Sequence, residues 1–209
     1  MAVDGRGDRI GAVVLAAGAS QRMGRNKSLL PIDGQPMLAR AIGVLRSSAA
    51  RIVVVTGFEP ESAKAAAGDH AAHVKFAFNA NYEAGGMLSS IQVGVALMRS
   101  GVDAFFLAPL DLPWVRESTL QQLTDGWRSS RADVVRPTFC GKHGHPILLD
   151  VRCIDPILAL GDGATLNDFV RTKSTNAVDV AVPDAATIHD IDTPADYEAA
   201  MKRRASSAE

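Results

Sequence analysis

Two basic residues, Arg22 and Lys27, follow a turn of small residues, and that turn follows an apolar, strand-like run at Ile10–Ala16. The side chains at 16–20 are small enough for backbone N–H groups to approach an anion closely. Two cations placed a few residues downstream can neutralise a polyphosphate. The segment is therefore predicted to bind phosphate groups.

The spacing of this loop differs from that of the better-known glycine loops. The Walker A pattern is not matched, because Gly18 and Gly24 are separated by five residues and Lys27 lies three beyond Gly24. The dinucleotide fingerprint G-x-G-x-x-G is also missing. A nucleophile elbow, G-x-S-x-G, fails at Arg22, which stands in place of the last glycine. Serine hydrolase chemistry loses its main support.

An acidic residue, Asp111, follows a second apolar run at 103–109. Open α/β sheets bind ligands at the carboxyl ends of their strands, so this carboxylate is expected near the phosphate loop. One or two carboxylates with polyphosphate oxygens and waters form a typical Mg²⁺ site. The alternative role for Asp111 is to form a turn ahead of Pro113.

Strand-like and helix-like runs alternate along most of the chain. This order predicts an α/β layer fold with a mainly parallel sheet that is buried on both faces. The helix predicted at 87–99 has an apolar stripe that we expect in the core. The stripe consists of Met87, Ile91, Val95 and Met98.

Capping residues mark the starts of two further helices. Ser118 and Gln121 are spaced as a capping box for a helix ending near residue 129. Thr193 is predicted as the N-cap of a terminal helix ending near residue 203, with Pro194 at N1 and Asp196 at N3. We expect one domain at 9–203 between disordered ends at 1–8 and 204–209.

Charge and composition exclude several classes of partner. The 209 residues include 22 Lys and Arg against 23 Asp and Glu, so a net charge of −1 favours neither nucleic acid nor an anionic membrane. No apolar run approaches the roughly 20 residues that a membrane-spanning helix needs, and a cytoplasmic location is expected. Cys140 and Cys153 lack C-x-x-C spacing, which fits a reducing compartment. A zinc site that joins them to His143 and His145 is the alternative, although its spacing matches no standard one.

A series of motifs, taken in order, resembles one enzyme superfamily. LAAG at 15–18, RMG at 22–24, Lys27 and LLP at 29–31 are similar to the signature of nucleotidyltransferases of the glycosyltransferase-A-like fold. The later motifs are Asn79, GMLSSI at 86–91 with Gly94, LDLP at 110–113, GHP at 144–146 and DIDTP at 190–194. Within the superfamily the chain most resembles the molybdenum cofactor cytidylyltransferases and their guanylyltransferase relatives, the MobA-like NTP transferases.

The resemblance implies a fold and a reaction. The fold is a single-domain, three-layer α/β sandwich with a Rossmann-like sheet, of the nucleotide-diphospho-sugar transferase type. The reaction moves a nucleoside monophosphate from an NTP to a phosphate of an acceptor and releases pyrophosphate, with Mg²⁺ as the cofactor and Mn²⁺ as the alternative. A nucleotide-binding chaperone or sensor without turnover is the alternative from another class.

The same resemblance implies roles for particular residues. Arg22, Lys27 and Asp111 are implied as catalytic residues, and Asp111 and Asp192 as metal ligands. The alternative for Asp192 is helix capping. Acceptor binding is implied for His145 and Arg136. Nucleotide binding is implied for Leu15, Ala16, Ala17, Gly18, Arg22, Gly24, Lys27, Asn79 and Ser89.

The substrates are implied less fully. LAAG resembles the loop of cytosine users and LAGG that of guanine users, so Ala17 favours CTP over GTP. The implied acceptor is molybdopterin or the molybdenum cofactor, with transient docking to a molybdoenzyme or its maturation factor. A sugar 1-phosphate or another small phosphate is the alternative acceptor. Residues 161–165 lack the Arg of the cytidylyltransferases' GD-x-GAR-like stretch, which Arg136, Lys142 or Arg171 would replace.

Overall fold

The structure, a computed structural model, describes residues 8–161 and 163–206. The strands are β1 (Ile10–Ala16), β2 (Pro31–Ile32), β3 (Gln35–Pro36), β4 (Arg51–Thr56), β5 (Lys75–Phe78), β6 (Ala104–Pro109), β7 (Val134–Phe139), β8 (Lys142–His143), β9 (Ile147–Asp150) and β10 (Ala177–Ala181). The helices are α1 (Met37–Leu45), α2 (Pro60–Ala66), α3 (Gly86–Ala96), α4 (Glu117–Ser130), α5 (Ile154–Leu158), α6 (Leu166–Thr172) and α7 (Pro194–Ser206).

One mixed sheet forms the centre of the fold. Its strand order is β10-β7-β9-β6-β1-β4-β5, and β8 pairs with β7 at the side. The pairs that involve β1, β4, β5 and β6 among themselves are parallel, as is the pair of β7 with β10. Only β9, between β6 and β7, and the β7–β8 hairpin run antiparallel within this sheet. The predicted three-layer sandwich with a mainly parallel sheet is confirmed.

Alternate residues of the central strands face two separate hydrophobic clusters. Val14 and Phe106 lie in the cluster that includes α1, α2, α4 and α7. Val13 and Phe105 lie in the cluster that includes α3, α5 and α6. Helix α3 lies so close to β1 that a Cβ added at Gly94 would sit 2.3 Å from the Val13 side chain. This close packing fixes where the first turn of α3 lies relative to the end of β1.

The predicted core stripe of α3 is wrong at its first residue. Ile91, Val95 and Met98 are each at most 1% exposed, but Met87 is 67% exposed. Met87 lies in the first turn of α3 and faces an open cavity, so it is not packed in the core.

The predicted capping box at Ser118 and Gln121 is also wrong. The carboxylate of Asp184 accepts hydrogen bonds from the Arg116 N–H at 2.9 Å and the Thr119 hydroxyl at 2.7 Å. The start of α4 is thus capped by a residue distant in sequence, and Gln121 instead donates to Asp125 at 2.9 Å.

Asp33 joins the β2–β3 hairpin to three other parts of the chain. Its carboxylate contacts Arg40 of α1 at 3.2 Å and Arg204 of α7 at 3.0 Å, and it accepts a hydrogen bond from Trp114 at 3.2 Å. Arg40 also donates to the Pro113 carbonyl at 2.7 Å. The hairpin therefore holds the loop after β6 and the terminal helix in fixed positions relative to α1.

Parts of the two predicted end segments lie within the described residues. Asp8 pairs with Arg131 at 2.9 Å, and α7 continues to Ser206, past the predicted end near residue 203. The disorder predicted for 1–7 and 207–209 lies outside the described residues, as does Asp162 of the 161–165 segment. Over residues 8–161 and 163–206, no helix combines the length and apolar character that crossing a bilayer requires.

Candidate active site

A cavity of about 880 Å³ opens at the carboxyl ends of β1 and β6, beside the first turn of α3. Eight of the predicted site residues line it: Leu15, Ala16, Ala17, Gly18, Arg22, Lys27, Asp111 and Asp192. They come from three distant parts of the sequence. The residues after β1 and β6 meet because parallel strands place their carboxyl ends at one edge of the sheet, and Asp192 reaches the same edge in the segment before α7.

The loop after β1 is held by its own hydrogen bonds. The Ser20 carbonyl accepts from the Met23 N–H at 2.9 Å and the Gly24 N–H at 3.1 Å, and the Ser20 hydroxyl accepts from the Lys27 N–H at 3.2 Å. Met23 and Leu30, 3% and 1% exposed, anchor the loop in the core. The backbone that presents Arg22 and Lys27 is therefore fixed, although the Arg22 side chain is 72% exposed.

Four charged side chains meet on one wall of the cavity. Lys27 Nζ lies 2.5 Å from Asp192 Oδ1 and 4.0 Å from Asp111 Oδ2. Arg22 reaches the other oxygen of Asp192 at 2.8 Å. The two predicted phosphate-binding cations and the two predicted metal ligands thus form one ion-pair network.

The two carboxylates of this network have opposite pKa shifts. Burial raises the pKa of Asp111, and the negative charges of Asp192 and Asp190 add to this, while Lys27 opposes it. Burial also acts to raise the pKa of Asp192. However, the hydrogen bond and charge of Lys27, followed by those of Arg22, outweigh burial, so the pKa of Asp192 is lowered.

The cap of α7 is formed by neighbours of Asp192, so the helix-capping alternative does not describe the Asp192 side chain. Asp196 accepts from the Thr193 N–H at 2.7 Å, and the Thr193 hydroxyl accepts from the Asp196 N–H at 3.2 Å. This is the predicted cap of α7, and it is confirmed. The Asp192 carboxylate is left to pair with Lys27 and Arg22.

The LAAG segment at 15–18, from which a preference for CTP was predicted, lines the cavity beside Tyr82. The Ala17 carbonyl accepts from the Phe58 N–H at 3.0 Å, and Ala17 itself is 4% exposed. A Cβ added at Gly57 would lie 2.5 Å from the Tyr82 Cβ and 2.7 Å from the Ala17 oxygen. A glycine is therefore needed at residue 57 for Tyr82 to approach the end of β1.

Three residues predicted to bind nucleotide do not line the cavity. Gly24, which has a φ of 69°, follows the 3₁₀ turn at Gln21–Met23 that contains Arg22. Asn79 is 2% exposed and donates to the Ser89 hydroxyl at 2.8 Å and the Ser90 hydroxyl at 2.9 Å. Asn79 thus bonds to two serines in the first turns of α3. Of these two serines, Ser90 lines the cavity and Ser89 does not.

The structure places both predicted acceptor-binding residues away from the cavity lining. Arg136 pairs with Asp179 at 2.7 Å, and Asp179 also pairs with His143 at 3.0 Å. Burial lowers the pKa of His145, whose Nδ1 is buried without a hydrogen-bond partner. Arg171, the other described arginine considered as a replacement, pairs with Asp168 at 2.9 Å and is 79% exposed. Roles in acceptor binding for these residues stay predictions.

Several residues of the cavity rim were not identified from the sequence. Tyr82, Glu83, Met87 and Asp190 all line it, and the Tyr82 hydroxyl donates to Glu83 at 2.9 Å. The glycine pair at 85–86, just before Met87, was the available signal, because it begins a helix whose first turn has no core beneath it. Asp190 belongs to the same DIDTP element as Asp192.

The carboxylates of the cavity suit a divalent cation that also binds phosphate. Within the described part of the chain, no three His, Cys, Asp or Glu side chains are grouped as a metal site, which also leaves the zinc alternative without a ligand set. Asp111 and Asp192 both contact Lys27, and one or two carboxylates with substrate phosphates are the usual Mg²⁺ donor set. The residues therefore fit Mg²⁺ or Mn²⁺ whose other ligands would be phosphate oxygens.

The chain is similar to known proteins in both sequence and fold. The chain is 25% identical over 194 residues to the molybdenum cofactor cytidylyltransferase of Escherichia coli, covering 93% of this chain and 96% of that protein. It is 51% identical over 51 residues to a molybdenum cofactor guanylyltransferase of Xanthomonas euvesicatoria, covering 24% of this chain and 27% of the relative. The crystal structure of Rv0371c from Mycobacterium tuberculosis in complex with manganese has the same fold, with a TM-score of 0.75, 22% identity, and coverage of 93% of this chain and 98% of that one. Residues 12–178 match the family model described as the MobA-like NTP transferase domain, and the chain belongs to that family.

Proposed function

We propose that this protein transfers CMP from CTP to the terminal phosphate of molybdopterin or the molybdenum cofactor, with Mg²⁺ as its cofactor and release of pyrophosphate. The observation that carries the proposal is the convergence of Arg22, Lys27, Asp111 and Asp192 on one wall of a large cavity. The volume of about 880 Å³ lies within the range of about 300–1,000 Å³ that is typical of small-molecule sites.

Arg22 and Lys27 are proposed to bind the β- and γ-phosphates. In the reaction, an oxygen of the acceptor phosphate attacks the α-phosphorus of CTP and the bond to the β-phosphate bridging oxygen breaks. Negative charge then accumulates on the leaving pyrophosphate, and two cations at that point stabilise it. Such transfer depends on position and charge neutralisation more than on a covalent intermediate.

The charges of the cavity support a divalent cation. Glu83, Asp111, Asp190 and Asp192 line it against only two cations, Arg22 and Lys27. A triphosphate would meet net repulsion in such a cavity unless it arrived with metal ions. Asp111 and Asp192 would hold the ion. When bound there, Mg²⁺ would neutralise phosphate charge and orient the triphosphate.

The preference for CTP depends on Ala17. Ala17 follows β1 among the residues that line the cavity, where backbone groups of residues 16–18 would hydrogen-bond to a nucleobase edge. The cytidylyltransferase relative aligns along almost the whole chain, whereas the guanylyltransferase relative aligns over 51 residues. Both points support CTP over GTP.

Pyrophosphate release with a panel of nucleotides and acceptors tests the proposal. Purified protein is incubated with Mg²⁺, one of the four NTPs, and either the phosphorylated pterin or a sugar 1-phosphate. The expected result is release that requires CTP and the pterin together. Release only with a sugar 1-phosphate would retain the chemistry and change the acceptor. Tight NTP binding without turnover on any acceptor would instead indicate a nucleotide-binding chaperone or sensor.

Delivery of the product is proposed to involve docking to a molybdoenzyme or its maturation factor. The product is large, and direct transfer would limit its loss to solvent. A pull-down with the product-loaded protein as bait tests this, and failure to retain either class of partner would contradict it.

A further inference from the structure

The Lys27 ammonium lies beside the two carboxylates that are proposed to hold a divalent cation. Its nitrogen lies 2.5 Å from Asp192 Oδ1 and 4.0 Å from Asp111 Oδ2, and the Lys27 side chain is only 14% exposed. The two carboxylates proposed as metal ligands are therefore already paired with a cation that belongs to the protein.

The Lys27 ammonium is also proposed to bind the triphosphate. It cannot stay beside the two carboxylates when a metal ion and a triphosphate are both bound. A dication placed between Asp111 and Asp192 would lie within a few ångströms of Lys27, and like charges at that separation repel strongly where water is partly excluded. Metal binding therefore requires the Lys27 side chain to leave the carboxylates.

Only the side chain of Lys27 is free to move. Its N–H donates to the Ser20 hydroxyl at 3.2 Å, and its carbonyl accepts from the Leu30 N–H at 3.1 Å. With the backbone held, rotation about the four side-chain bonds can carry the ammonium from the carboxylates to a phosphate bound against the loop.

We propose that Lys27 is an exchangeable counter-ion that keeps the metal site closed until a nucleoside triphosphate arrives. The ammonium moves from Asp111 and Asp192 to the β- and γ-phosphate oxygens, which would leave the two carboxylates available to hold a divalent cation. The inference rests on the proposed function in one respect, that a triphosphate is the ligand. Its consequence is reciprocal coupling: metal alone binds weakly, and each ligand strengthens the binding of the other.

Arg22 does not have the same role. It contacts Asp192 at 2.8 Å, but its side chain is 72% exposed, and screening by water weakens exposed ion pairs. Within residues 8–161 and 163–206, Lys27 is the one basic residue that forms ion pairs with both Asp111 and Asp192.

Binding of Mn²⁺, read from the EPR signal of the free ion, tests this exchange. Full-length protein is titrated with and without CTP, and Mn²⁺ with CTP in buffer alone serves as the blank. For the wild type we expect weak binding of Mn²⁺ alone and at least about tenfold tighter binding with CTP. For Lys27→Gln we expect Mn²⁺ alone to bind at least about tenfold more tightly than to the wild type, and CTP to strengthen that binding by a smaller factor than in the wild type.

Two control variants separate the charge of Lys27 from general effects. Lys27→Arg keeps the charge and should retain most of the coupling between Mn²⁺ and CTP. Lys64→Gln removes an exposed lysine that pairs with Glu61 and should bind Mn²⁺ as the wild type does. Thermal unfolding midpoints establish that each variant is folded.

Three outcomes would overturn the inference. They are a folded Lys27→Gln variant with wild-type affinity for Mn²⁺ alone, wild-type binding of Mn²⁺ that CTP does not change, and no Mn²⁺ binding under any condition. The measurement needs neither acceptor nor turnover. An absence of pyrophosphate release with every acceptor would therefore contradict the proposed reaction while the coupling result still stood.

Discussion

The backbone N–H of Ile191 donates a hydrogen bond to the carbonyl oxygen of Asp111 at 3.0 Å. Ile191 is 1% exposed, so its side chain is fixed in the core while its neighbour Asp192 points into the cavity. This bond helps to set the separation of the two carboxylates, because it joins the loop after β6 to the segment before α7. The proposed metal site therefore depends on a backbone contact as well as on the acidic side chains.

Replacing Asp111 with Asn should lower the rate of pyrophosphate release from CTP with the pterin acceptor by at least about a hundredfold. Asn keeps the shape of the side chain but lacks the negative charge that would hold a divalent cation. The rate is measured at saturating Mg²⁺, with Asp190→Asn as a comparison because Asp190 is an exposed carboxylate on the same rim. An Asp111→Asn enzyme within tenfold of the wild type, or one no slower than Asp190→Asn, would contradict the assignment.

Stability against pH should separate Asp111 from Asp192 in buffer containing a metal chelator. The pKa of Asp111 is raised from its ordinary value of 3.8, so its ionised form destabilises the fold at neutral pH. Asp111→Asn should therefore unfold at a higher temperature than the wild type at about pH 7, and this gain should vanish as the pH falls through the raised pKa to 3.8.

Asp192 should behave in the opposite way. Its pKa is lowered from 3.8, so its ionised form stabilises the fold. Asp192→Asn should unfold at a lower temperature than the wild type at about pH 7, and the difference should persist until the pH falls below 3.8. Thermal scans of both variants across this range provide the check. Parallel pH profiles for the two variants would show that the two environments do not differ as described.

Replacing Ala17 with Gly should lower the ratio of kcat/KM for CTP to that for GTP by about tenfold, since one methyl group in a pocket changes selectivity by roughly that factor. The Ala17 side chain belongs to the α3-side cluster and lines the cavity. Ala16→Gly is the matched control, because it loses the same methyl group from the opposite cluster. Both variants should lose about 1 kcal/mol of stability. An equal change of base preference in the two would show that the methyl of Ala17 is not what discriminates.

Adding a methyl group at two glycines should separate binding from folding. A Cβ at Gly18 meets no atom within 4 Å, so Gly18→Ala should fold normally and lose CTP affinity through occupation of the cavity. A Cβ at Gly94 would lie 2.3 Å from Val13, so Gly94→Ala should lose about 1–3 kcal/mol of stability. Urea unfolding and CTP titration measure the two properties. Loss of stability in Gly18→Ala, or none in Gly94→Ala, would contradict this description of the packing.

The site residues predicted from the sequence came from two kinds of information. Arg22, Lys27 and Asp111 follow apolar strands, and the rule that parallel strands end at one edge predicts that they meet. Asp192 came from the resemblance of its DIDTP element, since nothing local distinguishes it from a capping residue. Its pairing with Lys27 depends on tertiary contacts that no local pattern contains.

Other features could not be predicted because their causes are distant in sequence. The cap of α4 comes from Asp184, so the local pattern of Ser118 and Gln121 was misleading. A buried strand has the same apolar pattern in either direction, which hides the antiparallel orientation of β9. Met87 is exposed because the first turn of α3 borders the cavity, and helical periodicity carries no information about which turn of a helix borders a cavity.

The contact of Lys27 with Asp192 joins residues 165 positions apart. Since Ile191 and α7 bring Asp192 to the cavity, a chain still being synthesised lacks this contact until residue 192 and the helix that follows it have been added. A nascent chain that stops short of Asp192 therefore has a phosphate loop without its acidic partner. Cellular nucleotides should meet a complete site only on chains that include α7, and a prematurely terminated product that ends before residue 190 would lack that site.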